Sequence, residues 1–213
     1  MGIRERKLRE YAKRKSLILD TARRFFRRRG FASVTIDDIA AQIEFSKGTI
    51  YSHFASKEEI FAQILLEHLD KLTAVLGQAA ASCSGVEDGM RRALEAYLNF
   101  YEHNGDYGQL MFFVDEPSHQ ANIPEKLLNE IRRRKLACLG HLQSILKKSR
   151  AGFPAGDGGE TKDLALLLWG MLNGILQLVE AKQIKRDDLD RLLALGFEVV
   201  TGGLSNRTLK KER

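Results

Sequence analysis

Three consecutive stretches decide how this chain folds: Thr35-Ile-Asp-Asp-Ile-Ala-Ala-Gln-Ile43, Ser46-Lys-Gly-Thr-Ile-Tyr-Ser-His-Phe54 and Ser56-Lys-Glu-Glu-Ile60. Each opens on a hydroxyl residue able to accept from the unpaired N–H groups of a helix start. Thr35 with Asp38 is a capping box in its Asp form, and Ser56 with Glu59 is a second. Ile36, Ile39, Ala40 and Ile43 form the apolar side of the first segment. Ser46 caps a helix of about two turns over 47–54. From Ser56 a long helix follows, with Ile60, Phe61, Ile64, Leu65, His68, Leu72, Val75 and Leu76 in register. Two short helices joined by Ile43-Glu44-Phe45-Ser46 predict a helix-turn-helix, whose second helix lies in the major groove of DNA.

Upstream, Ile18, Ala22, Phe25 and Phe26 keep the spacing of one apolar helix face, which predicts a helix from about Lys13 to Arg29. Gly30 then stops it. Downstream, the pattern predicts helices near 87–103, 107–115, 122–150, 160–183 and 187–201. Pro117 and Pro124 bracket a break, and Ala151–Gly159 is the clearest loop. Alternation of the strand kind is missing, so the fold class is all-α. The expected division is a basic N-terminal extension over 1–13, a three-helix DNA-binding domain over 14–60, a helical body over 61–203 and a polar tail over 204–213.

The chain has 213 residues, 44% hydrophobic and 29% charged, which suffices for a real core and argues against disorder. The apolar run Leu164–Leu172 falls well short of the roughly 20 residues of a spanning helix, so no membrane is expected as a partner. With two cysteines, Cys83 and Cys138, there is no disulfide framework, and a reducing cytoplasm is the expected compartment. Residues 1–57 hold 14 Lys/Arg against 6 Asp/Glu, whereas residues 58–213 hold 20 against 22. The positive excess therefore sits in the first quarter. That distribution suits either a head that binds a polyanion or a solvated basic helix.

Within the second short helix, Ile50 and Phe54 lie four apart and point inward. Lys47, Thr49, Tyr51, Ser52 and His53 are left for DNA. Lys47, His53 and Lys57 suit phosphates, and Thr49 and Ser52 suit base edges. Tyr51 offers a ring to a thymine methyl and a hydroxyl to a phosphate. Gly48 allows close backbone approach. The extension Arg4–Lys15, with seven Lys/Arg and two Glu, is either a frayed tail or an arm along DNA.

The three stretches, together with Ile18-Leu-Asp-Thr-Ala-Arg-Arg-Phe-Phe26 and Arg29-Gly-Phe-Ala32, resemble the N-terminal domain of TetR-family transcriptional regulators over about residues 14–72. The resemblance implies an all-helical homodimer with a DNA-binding head and a ligand-binding body. It implies DNA contacts at Lys47, Gly48, Thr49, Tyr51, Ser52, His53 and Lys57, and a phosphate contact at Thr35. The family usually has a small residue, often Gly, in the turn where this chain has Glu44.

Tyr97, Phe100, Tyr101, Tyr107, Phe112 and Phe113 concentrate six aromatics within 17 residues. They suit a packed core or the wall of a ligand pocket. Candidate pocket residues are Tyr97, Phe100, Tyr101, Phe112, Phe113 and Trp169, with Asn173 and Gln177 as polar groups of the pocket or of a dimer seam. Helices 160–183 and 187–201 carry more apolar surface than one face needs, which predicts burial by a second chain. Neither a zinc spacing nor a phosphate loop nor GxSxG is present, so no metal, no cofactor and no enzyme activity are expected. The expected function is dimeric, sequence-specific DNA binding as a repressor. Release from an inverted-repeat operator would follow binding of a small-molecule effector. A ligand-independent or architectural DNA-binding dimer is the alternative.

Overall fold

Neither Gly nor Pro interrupts residues 3–29, and Glu10 accepts from Arg14 one turn on at 3.3 Å. In the computed structural model, which describes residues 2–148 and 159–199, α1 accordingly spans Ile3–Arg29. It begins ten residues before the expected Lys13, so the extension is the first half of α1 and not a separate tail. Gly30, at φ 74°, ends it and donates its N–H to the Phe26 carbonyl at 2.8 Å. Arg27, Arg28 and Arg29 occupy the last turn, where cations offset the helix dipole.

Helix α2 (Ile36–Gln42) starts on the expected box. Thr35 Oγ1 accepts from the Asp38 N–H at 3.1 Å, and the Asp38 carboxylate accepts from the Thr35 N–H at 2.8 Å. The Thr35 hydroxyl and N–H hold the Asp38 carboxyl below its usual range. Helix α3 (Lys47–Tyr51) starts on Ser46, whose Oγ accepts from the Thr49 N–H at 3.1 Å. It is shorter than expected, and residues 52–54 leave it as a turn. Helix α4 (Lys57–Ser82) begins at Ser56, which accepts from the Glu59 N–H at 2.9 Å. Glu59 in turn accepts from Ala55, one residue before the position the box predicts.

Between α2 and α3, Glu44 sits at φ 55°, in the left-handed region that favours glycine. The family preference for a small residue here thus has a backbone cause. Glu44→Gly is expected to stabilise the chain by about 0.5–1 kcal/mol, because relief of the Cβ clash exceeds the entropy lost by glycine. A urea midpoint at or below that of the unsubstituted chain would contradict this.

The chain continues through α5 (Val86–His103), α6 (Tyr107–Asp115), α7 (Pro117–Gln120), α8 (Glu125–Leu146) and α9 (Gly159–Glu180). A 3-10 turn at Arg186–Asp188 leads into α10, residues 189–199. No strand occurs among the described residues. Most of the expected loop, over 151–158, and the polar tail 204–213 lie outside them.

Two compact units emerge, and they interleave in sequence. The first joins the chain up to Glu67 with Leu110–Glu130; the second joins His68–Gln109 with the chain from Ile131 onward. A single cut at residue 60 therefore does not describe the packing. In the first unit, Phe31 and Phe113 rings lie 4.0 Å apart, and Phe113 stacks on His119 at 3.6 Å. Ser56 Oγ donates to the Asn122 carbonyl at 2.7 Å. Phe26 and Phe61 complete this aromatic cluster, which no periodicity signalled because Phe113 lies 52 residues from Phe61.

The second unit is built around Tyr97, Tyr101 and Tyr107, all fully buried. Helix α9 buries Ala165, Leu168, Leu172 and Leu176 on one stripe, and α10 buries Leu189, Leu193 and Phe197. Leu166, Leu167 (65% exposed), Leu178, Leu195 and Val199 stay exposed on these two helices. Over Thr161–Glu180, α9 is long and apolar enough to cross a membrane. The expectation from the unbroken run alone is corrected here, because Asn173 ends that run without lowering the average hydropathy of the helix enough.

Candidate nucleic-acid interface

Helix α3 has two sides. Ile50 is fully buried, and Phe54 just beyond the helix is nearly so; both pack into the first unit. Lys47, Gly48, Tyr51 and Ser52 are exposed, with Thr49 and His53 half-buried. The outer side thus offers an ammonium, hydroxyls and a phenol ring that is 48% exposed. It carries no exposed large aliphatic side chain.

Several of these groups are already oriented. Thr49 Oγ1 and Ser46 Oγ share a hydrogen at 2.8 Å, and the Ser52 hydroxyl donates to the Thr49 carbonyl at 2.7 Å. Lys47 Nζ donates to Asp37 on α2 at 2.9 Å. That hydrogen bond and the Asp37 charge raise the Lys47 pKa. Gly48 is not demanded by the chain's own packing, since a Cβ there would meet only Ser46 Oγ at 3.8 Å.

Lys57, of which a phosphate contact is expected, is engaged within the chain. Its Nζ donates to the Phe31 and Val34 carbonyls at 2.9 and 2.8 Å and lies 4.0 Å from the Phe31 ring centroid. Burial lowers its pKa. The ammonium therefore pins the segment between α1 and α2, because one cation bridges the carbonyls of Phe31 and Val34. Thr35 likewise has its hydroxyl engaged with Asp38, to which it donates at 2.7 Å.

His53 is joined to a residue that the motif reading missed. The Tyr11 ring on α1 packs against it at 4.2 Å. Burial, then the charges of Arg14 and Lys15, lowers the His53 pKa. The spacing places Tyr11 on one face of α1 with Lys15, Ile18 and Ala22, without saying which element that face meets.

The eight candidate pocket residues divide between the two units. Phe112 and Phe113 belong to the first unit, whereas Tyr97, Phe100, Tyr101, Trp169, Asn173 and Gln177 belong to the second. Tyr101 donates to Glu180 at 2.7 Å, and Asn173 Nδ2 donates to the Trp169 carbonyl at 2.7 Å. Gln177 is exposed. Tyr97 Oη and Asn173 Oδ1 are buried without a hydrogen-bond partner. Among the described residues no cluster of three or more His, Cys, Asp or Glu is placed to hold a metal ion.

Residues 18–64 match the family model for bacterial regulatory proteins, tetR family. Over this segment the chain is similar to the TetR family. The match covers α1 from Ile18, the two short helices and the start of α4. Among curated relatives, the transcriptional activator FasR of Mycolicibacterium smegmatis is 32% identical over 113 residues, 52% of each chain. The transcriptional repressor KstR2 of Mycobacterium tuberculosis is 29% identical over 57% of this chain and 60% of its own. The chain thus spans a little over half the length of the curated relatives it matches. A solved TetR-family regulator, PfmR of Thermus thermophilus, shares the fold at a TM-score of 0.66. That match has 22% identity and covers 86% of this chain and 97% of PfmR. These relatives are named as regulators and not as enzymes.

Proposed function

We propose that this chain is a TetR-family regulator, a dimeric, sequence-specific transcriptional repressor of the cytoplasm that leaves an inverted-repeat operator when a small molecule binds. The observation that carries the proposal is the outer side of α3: Lys47, Gly48, Thr49, Tyr51 and Ser52 turned outward over buried Ile50, within the basic first quarter of the chain. Lys47 serves a phosphate, as does Thr35 once its hydroxyl turns from Asp38, with Thr49, Tyr51 and Ser52 facing base edges. Lys57 and His53 hold the surface in place.

The exposed apolar sides of α9 and α10 support the homodimer, and burial against a second copy accounts for the hydropathy of α9 without a membrane. At Gly170 and Gly174 a Cβ would meet nothing within 4 Å, which leaves room for a close helix crossing. For the effector, Tyr97, Phe100, Tyr101 and Trp169 suit an apolar or aromatic molecule, with Tyr97 Oη and Asn173 Oδ1 as its polar anchors. Helices α4, α6 and α8 each belong to both units, and α4, which follows α3 directly in sequence, is the element through which a ligand would bias DNA binding.

Selection of bound duplexes from a random pool tests the proposal. It should return an inverted repeat with half-sites about 34–36 Å apart, or a multiple of that. An asymmetric site, or a monomer by sedimentation at micromolar concentration, would reject it. Calorimetry of a ligand with and without operator separates an inducible repressor from a ligand-independent dimer. A true inducer shows a coupling of about 5- to 150-fold in both directions, whereas equal affinities leave the ligand-independent dimer.

Gly48→Ala separates a DNA-facing glycine from a structural one. Its Cβ has room, so the fold should gain up to about 0.5–1 kcal/mol from helix propensity. Duplex affinity should fall, because the methyl group stands where the nucleic acid would approach. Loss of stability together with affinity would assign Gly48 to folding.

A further inference from the structure

The first half of α1 does more than start a helix. At about 1.5 Å per residue, residues 3–15 form a rod of roughly 20 Å, the length of about six base pairs. Residues 2–14 are all exposed, with Ile3 73% and Leu8 63% so. One face of α1 runs unbroken through Arg4, Lys7, Leu8, Tyr11, Lys15 and Ile18. At Ile18 that face is core; at Tyr11 it meets His53, just past the recognition helix. Beyond Tyr11 the same face continues as an open groove of about 590 Å³ lined by Ile3, Arg4, Lys7, Leu8 and Tyr11. Arg6, Arg9 and Lys13 point to the opposite side.

We infer that this overhanging face is a second DNA-contact surface, in which Arg4 and Lys7 hold phosphates of the duplex that α3 enters. The inference rests on the proposed function. The face that touches His53 is continuous with the face bearing Arg4 and Lys7, so a duplex docked on α3 runs beneath them. Two cations beside exposed apolar side chains match a sugar-phosphate backbone. Tyr11 against His53 fixes the angle at which the arm leaves the first unit. The arm adds affinity without sequence preference, because phosphates carry none.

The test compares two pairs of substitutions of equal charge in the full chain: Arg4→Gln with Lys7→Gln, and Arg6→Gln with Arg9→Gln. Glutamine keeps helix propensity, and circular dichroism checks that helicity is retained. The probe is a random-sequence duplex of about four helical turns labelled for anisotropy, titrated across salt. The Arg4/Lys7 pair should lower affinity on the order of tenfold and flatten the log–log salt slope by about 1.8, or about 0.9 per lost phosphate contact. The Arg6/Arg9 pair should leave the slope unchanged. Equal effects of the two pairs would reduce the arm to a diffuse field and overturn the inference. So would no effect of either pair while Lys47→Ala weakens binding, in which case the reading of α3 stands. Failure of the unsubstituted chain to bind duplex at low salt would end both. Loss by the Arg4/Lys7 pair of binding to phosphatidylserine vesicles, with duplex binding intact, would give the arm to a membrane surface instead.

Discussion

Phe61→Ala is expected to destabilise the chain by about 3–5 kcal/mol, the range for emptying a buried aromatic site. Phe61 is 1% exposed. Its ring meets Phe26 at 5.0 Å, Phe31 at 4.9 Å and Phe113 at 4.5 Å, each near edge-to-face. Truncation removes the transfer energy of the ring and three aromatic pairs, and the facing rings are too rigid to close the space. Urea unfolding followed by circular dichroism measures the loss. Leu17→Ala, at an exposed position of α1, serves as the control and should stay within about 0.5 kcal/mol. A loss at Phe61 below about 1 kcal/mol would mean that the cluster is not a packing centre. The same variant should weaken duplex binding, since Phe31 of this cluster also carries the carbonyl that Lys57 pins.

Tyr51→Ala and Lys47→Ala should each weaken duplex binding by about 1–3 kcal/mol, or about 5- to 150-fold. The two losses differ in kind. Lys47, as a phosphate ligand, should lose affinity evenly across sequences and reduce the salt slope by about 0.9. Tyr51 should relax preference at one position of each half-site and leave the slope alone. Lys47 belongs at the lower end of the range, because it must leave Asp37 to reach a phosphate. Asp37→Asn, which frees Lys47 and removes a negative charge from the same surface, should tighten binding. Anisotropy titrations of the selected operator and of a scrambled duplex check all three. Unchanged binding in both alanine variants would remove α3 from the interface.

Much of this was legible in residues 35–60. Caps are local: Thr35 with Asp38 and Ser46 with Thr49 are set by atoms within three residues, so sequence alone places the starts of α2 and α3. The inward Ile50 and outward Tyr51 follow from a 3.6-residue period, as does the buried stripe of α9. The family likeness was equally local, because its pattern lies in one continuous segment.

Tertiary structure alone decided where distant groups go. Lys57 looked like a free cation, yet the Phe31 and Val34 carbonyls that take it lie 26 and 23 residues away. Phe113 looked like a pocket wall with its neighbours in sequence, yet it packs with Phe31 and Phe61. The positive φ of Glu44 is set by the join between two helices that must pack on one core, not by the preference of glutamate. The meeting of Tyr11 with His53 depends on α1 passing the end of α3. Periodicity assigns each residue to a face within its own helix. Which face meets which is decided only when all the helices bury their apolar stripes together.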